Sequence, residues 1–132
     1  MVKRKGFTLI EILIVMSILS LLFTVGLPIS YRLYQSYQAS LKAEEVMVFM
    51  ATLKRDSFLY SEAKVVLARD GILFVNGIEK VFKDTLIQMD RPIEFYKNGT
   101  TSGGALKIHV GDQIYSLNIE APFGNIVMER GA

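Results

Sequence analysis

Glu11 is the single charged side chain between Phe7 and Ile29, a run of 23 residues otherwise composed of apolar, hydroxyl, glycine and proline positions. A carboxylate so placed has two options: reach water and headgroups from near a helix end, or neutralise a cation held in the same low-dielectric surroundings. An acid at the centre of a membrane helix costs about 2.5 to 3.5 kcal/mol, and less towards the interface. That cost makes a partner cation the stronger explanation of Glu11. The nearby bases, Lys3, Arg4 and Lys5, all precede Phe7.

Other residues capable of chemistry lack the company that chemistry needs. His109 is the only histidine and there is no cysteine, so neither a thiolate site nor a histidine-rich transition-metal site can be assembled. It sits at an outward position of a strand pattern and reads as a surface residue. The stretch "GTTSGG" (99–104) has the two glycines of a phosphate-binding loop, yet Ala105 and Leu106 stand where Lys and Ser/Thr are required, and a strand pattern follows. Asn98-Gly99-Thr100 is formally a glycosylation sequon, but Asn-Gly is equally the signature of a turn. No carboxylate pair stands out for glycosidase-type work. Ser17 and Ser20 lie in the apolar run, where hydroxyls bond the backbone. No nucleophile with a base and no metal cage emerges, so the sequence points away from an enzyme, and it calls for no cofactor and no metal.

The elements that would position Glu11 follow from the hydropathy pattern. Residues 7–29 as a helix would reach roughly 34 Å, enough to cross a bilayer core. The bases before this run would hold the N-terminus in the cytoplasm and send the remainder outward. A secretory signal peptide cut near Gly26 is the competing reading, disfavoured by the length of the run, the acid inside it and Pro28 beside the cut. Pro28 removes a backbone donor from the Thr24 carbonyl, which either kinks the helix or marks its end at the interface. After Ser30 the pattern becomes amphipathic, with Tyr34, Tyr37 and Leu41 and then Val46, Phe49, Met50 and Leu53 at helical spacing. One helix from about Phe7 to about Leu53 is expected, its second half laying that face on a sheet, with Glu44-Glu45 solvated. Tyr31, Tyr34 and Tyr37 fall at headgroup level or pack between subunits.

From residue 61 the period is that of strands: "AKVVLAR", "ILFV", "IEKVF", "IEFY", "ALKIHV", "IYSLNI" and "NIVME". Asp70-Gly71 and Asn76-Gly77 between the first three signal hairpins. Leu106, Ile108 and Val110 alternate with Lys107 and His109, as in a sheet with one wet face. The expected fold class is α+β: a long N-terminal transmembrane-plus-amphipathic helix packed on a C-terminal antiparallel sheet head of six or seven strands. The 132-residue length supports one modest domain, and 51% hydrophobic content with a mean hydropathy of +0.33 fits a membrane segment. Without the three leading bases, twelve bases face thirteen acids, so the body carries no basic excess of the kind nucleic acid demands.

Lys5-Gly6-Phe7-Thr8-Leu9-Ile10-Glu11, the apolar run and Pro28 together resemble the processing signal of type IV pilins and of the pseudopilins of type II secretion. The resemblance implies a pilin-like fold in four parts: a cleaved leader at 1–6, a transmembrane and assembly helix at 7–29, an amphipathic continuation at 30–60, and a β-rich head at 61–132. It implies that a prepilin peptidase in the membrane cuts between Gly6 and Phe7 and methylates the new Phe7 amine. It further implies that Glu11 meets the Phe7 amine of a neighbouring subunit, the cation that the physics calls for. The remaining implied partners are other pilin or pseudopilin subunits in a helical fibre and an assembly platform in the bacterial inner membrane, with a single-pass topology before extraction into the fibre. Residues 91–131 also resemble the C-terminal half of FimT/GspH-like minor pilins, with "SGG" before a strand and a Gly-Asn hinge into the last one. Two alternatives stay open: a major pilin, and a DNA-binding minor pilin of an uptake fibre. For the latter the tail "VMERGA" sets Arg130 beside Glu129 and offers no basic cluster.

Overall fold

The computed structural model describes residues 6–131. Among the described residues the chain runs as helix α1 (Leu9–Leu59) followed by eight strands: β1 (Lys64–Arg69), β2 (Ile72–Val75), β3 (Ile78–Lys80), β4 (Thr85–Met89), β5 (Ile93–Phe95), β6 (Gly104–Val110), β7 (Gln113–Glu120) and β8 (Asn125–Arg130). The α+β architecture is the expected one. It divides after Ser36 into an N-terminal unit and a unit that starts at Tyr37, so the second part of the helix belongs with the strands.

The strands form two antiparallel four-stranded sheets, ordered β3-β2-β1-β5 and β4-β6-β7-β8. This corrects the expectation of a single sheet of six or seven strands. The missing strand was β4: Thr85 and Ile87 are buried while Leu86 faces out, so its inward and outward positions do not read as apolar and polar. Both Asx-Gly pairs make the hairpins expected of them. Asp70 and Gly71 have φ of 53° and 79°, and Asn76 and Gly77 have 51° and 82°, the double left-handed backbone that matches strand twist. Asn76 also anchors β1, its Oδ1 accepting from the Val65 N–H at 2.8 Å and its Nδ2 donating to the Ala63 carbonyl at 3.2 Å. The Ile87 N–H donates to the Gly71 carbonyl at 3.0 Å, which ties the first hairpin to β4 of the other sheet.

The core gathers Val66, Leu73, Ile93 and Phe95 from one sheet and Ile87, Leu106, Ile108, Val110, Tyr115, Leu117 and Ile119 from the other. The alternation along β6 is as expected, with Lys107 exposed and His109 half-buried. The helix contributes Ala39, Ala43, Val46, Met50, Leu53 and Ser57, spaced four, three, four, three and four apart. Of the expected stripe, Val46, Met50 and Leu53 are buried and Phe49 is half-buried, but Tyr34, Tyr37 and Leu41 are exposed. The reason is helical phase: Ala39 and Ala43 continue the four-three spacing of Val46, Met50 and Leu53, whereas Leu41 lies two positions from each alanine, about 200° around the helix, with Tyr34 and Tyr37 on its side. Phe49 meets the edge of Phe82 with ring centroids 5.5 Å apart, and the Lys80 ammonium lies over both rings. The helix also extends past Leu53 to Leu59; Ser57 Oγ donates to the Lys54 carbonyl at 2.8 Å, which satisfies that buried hydroxyl inside the last turns. Glu44 and Glu45 are solvated.

Candidate functional site at the start of the helix

Residues 6–8 are non-helical, and the helical ladder begins with the Ile12 N–H donating to the Thr8 carbonyl at 3.1 Å. Thr8 is the N-cap: its Oγ1 accepts from the Glu11 N–H at 3.2 Å, satisfying one of the orphan donors of the first turn. Glu11 is thereby held in the first turn, where the positive end of the helix dipole favours a carboxylate. Among the described residues the ion pairs are Lys42 with Asp84, Arg55 with Asp56 and Lys64 with Glu62, so Glu11 has no cation from within them. Gly6 and Phe7 lie just outside the helix, Phe7 being 81% exposed. The bases Lys3, Arg4 and Lys5 fall outside the described residues.

Every large apolar side chain from Phe7 to Tyr34 is exposed, although the segment has the length and composition to cross a membrane. Its hydroxyls are satisfied within the helix: Ser17 donates to the Leu13 carbonyl at 2.7 Å, Ser20 to Met16 at 2.8 Å and Thr24 to Ser20 at 2.7 Å. That is what a helix in lipid requires, since no water is available to take those donors. Pro28 sits inside the helix, so the reading that it marks the helix end is corrected; the helix continues on both sides of it. It lies 17 residues beyond Glu11, about 26 Å along the axis, and takes no part in the cluster at Gly6, Phe7 and Glu11.

The other sequence candidates do not assemble into a site. His109 faces Leu86 and Ile114 across the sheet, and among the described residues no three His, Asp or Glu side chains gather as metal ligands. Asn98 Oδ1 accepts from the Thr100 N–H at 3.1 Å and from its hydroxyl at 2.6 Å, which makes the 98–100 segment a closed turn. Arg130 donates through Nε and Nη2 to Gln113 Oε1 at 3.1 and 2.8 Å. Two features escaped sequence reasoning. Thr8 carried a readable signal, the Thr-x-x-Glu spacing of a capping box. An open groove of about 630 Å³, lined by Ala51, Lys54, Phe58, Gly99, Gly124 and Ile126, had none, because three segments distant in sequence build it.

The exposed apolar part of the helix, with its capped, acid-bearing first turn, has the length and composition to anchor the chain in a membrane. Comparison with known proteins supports this. Residues 1–27 match the family model described as the prokaryotic N-terminal methylation motif. The chain is 33% identical over 95 residues to the fimbrial protein EcpB of Eikenella corrodens, an alignment covering 72% of this chain and 51% of that protein. The chain thus spans about half the length of that relative. No solved structure matches. The motif and the fimbrial relative support membership of the type IV pilin superfamily. Members of that superfamily are structural, and the motif with its apolar helix fits membrane anchoring.

Proposed function

We propose that the chain is a minor pilin or pseudopilin, cut by prepilin peptidase between Gly6 and Phe7, methylated at the Phe7 amine, and assembled into a type IV pilus or a type II secretion pseudopilus. Before assembly, residues 7–29 anchor it in the bacterial inner membrane with the N-terminus cytoplasmic and the head outside the cytoplasm. Assembly by the inner-membrane platform moves the helix from lipid into a bundle of like helices, where Glu11 meets the Phe7 amine of a neighbouring subunit. Pro28 provides a bend by withholding a donor from the Thr24 carbonyl.

The observation that carries this reading is the exposed apolar helix whose first turn holds one acid, in a segment that matches a methylation motif. Cutting removes three bases and creates one positive amine at the end of an apolar helix, which supplies the counter-charge Glu11 lacks. A mispaired buried charge is penalised more than a matched one is rewarded, so the contact would set register between subunits. The glycine at position 6 also fits a processing site. A Cβ there would meet nothing within 4 Å, so packing against the described residues does not account for the missing side chain. The minor-class assignment draws on the FimT/GspH-like pattern of residues 91–131. The test is the intact mass of the chain recovered from membranes: loss of residues 1–6 with the addition of one methyl group is expected, and native material that begins at Met1 yet polymerises overturns the reading.

A further inference from the structure

We propose that the Thr8 hydroxyl is a positioning device for processing: by capping the helix it keeps the Gly6–Phe7 peptide bond in non-helical backbone, where the peptidase can bind it. This rests on the processing reading above and adds a residue that the reading does not use. A peptide bond inside a helical turn has its carbonyl committed to the ladder and its flanking side chains wound around the axis, so a protease must unwind it first. Here the ladder opens at the Thr8 carbonyl, two residues after the scissile bond, and the Thr8 side chain closes it by accepting from the Glu11 N–H at 3.2 Å. Gly6 and Phe7 remain exposed on the non-helical side.

In a membrane an unsatisfied N–H is costly, so a helix that loses its cap is driven to extend backwards until another group ends it. Residues 1–7, "MVKRKGF", contain no Ser, Thr, Asp or Asn. The next residue suited to an N-cap is Gly6 itself. A start at Gly6 would draw the Gly6–Phe7 bond into the first turn. Lys3, Arg4 and Lys5 oppose that extension at the positive end of the helix dipole, so the shift is partial and its consequence is a slower rate.

The experiment is a pulse-chase of full-length precursor in cells containing the peptidase, read by intact mass, with membrane fractionation to show equal insertion. Thr8→Val, which keeps the shape and removes the hydroxyl, is expected to slow conversion about fivefold, the population factor of a typical lost N-cap. Thr8→Ser and Thr8→Asn, which can cap, are expected to convert at the wild-type rate. Wild-type conversion of T8V overturns the proposal, and so does a T8S chain as slow as T8V. A wild-type chain that keeps its first six residues overturns the processing reading itself, a result distinct from equal rates in the two chains.

Discussion

Replacing Glu11 by alanine separates anchoring from assembly. The Thr8 cap uses the Glu11 backbone N–H, so alanine leaves the helix start as it is. Removing an acid from a membrane helix lowers the cost of insertion by up to a few kcal/mol, so the variant should reach the membrane at least as well as the wild type. Gly6 and Phe7 are unchanged, and cutting should proceed. Within a helix bundle the balance reverses, because the Phe7 ammonium of the adjoining subunit would be buried without its carboxylate. Breaking a buried pair by deleting one partner costs about 3 to 5 kcal/mol. At about 1.4 kcal/mol per tenfold, incorporation into fibres should fall by roughly a hundredfold or more. The assay is quantitative mass spectrometry of membrane and sheared-fibre fractions from cells expressing either chain. Equal membrane levels, equal mature masses and a depleted fibre fraction are expected. A fibre fraction within twofold of wild type would remove the carboxylate from assembly, and a variant left uncut would move its role to processing.

Other outcomes concern the head. Met50 is fully buried where the helix joins the core, so Met50→Ala should cost about 2 to 5 kcal/mol. Thermal unfolding of the detergent-solubilised chain should then show Tm lowered by at least about 8 °C, given roughly 4 to 8 °C per kcal/mol for a unit of this size. Gly77→Ala meets open space and carries only the strain of φ +82°, about 1 to 2 kcal/mol. Gly71→Ala combines φ +79° with a Cβ 2.7 Å from Leu86 Cδ2, and denaturant melts should place it as the more destabilised of the two.

The sequence by itself determined the parts of this protein that depend on local pattern. The 23-residue apolar run with one acid fixes where the exposed helix lies, because exposure to lipid needs only composition and length. Asp70-Gly71 and Asn76-Gly77 determine two hairpins, since φ > 0 at both turn positions is a local requirement. The cap at Thr8 was equally legible through its spacing to Glu11. The tertiary structure decided how strands are shared between two sheets, for edge pairing is long-range and leaves no mark on the period of any one strand. Which face of the second helical half is buried follows from phase: Ala39 and Ala43 continue the four-three spacing of Val46, Met50 and Leu53, and Tyr34, Tyr37 and Leu41 do not. The groove between Lys54, Gly99 and Gly124 was likewise decided by the tertiary structure, because the helix and two loops distant in sequence line it.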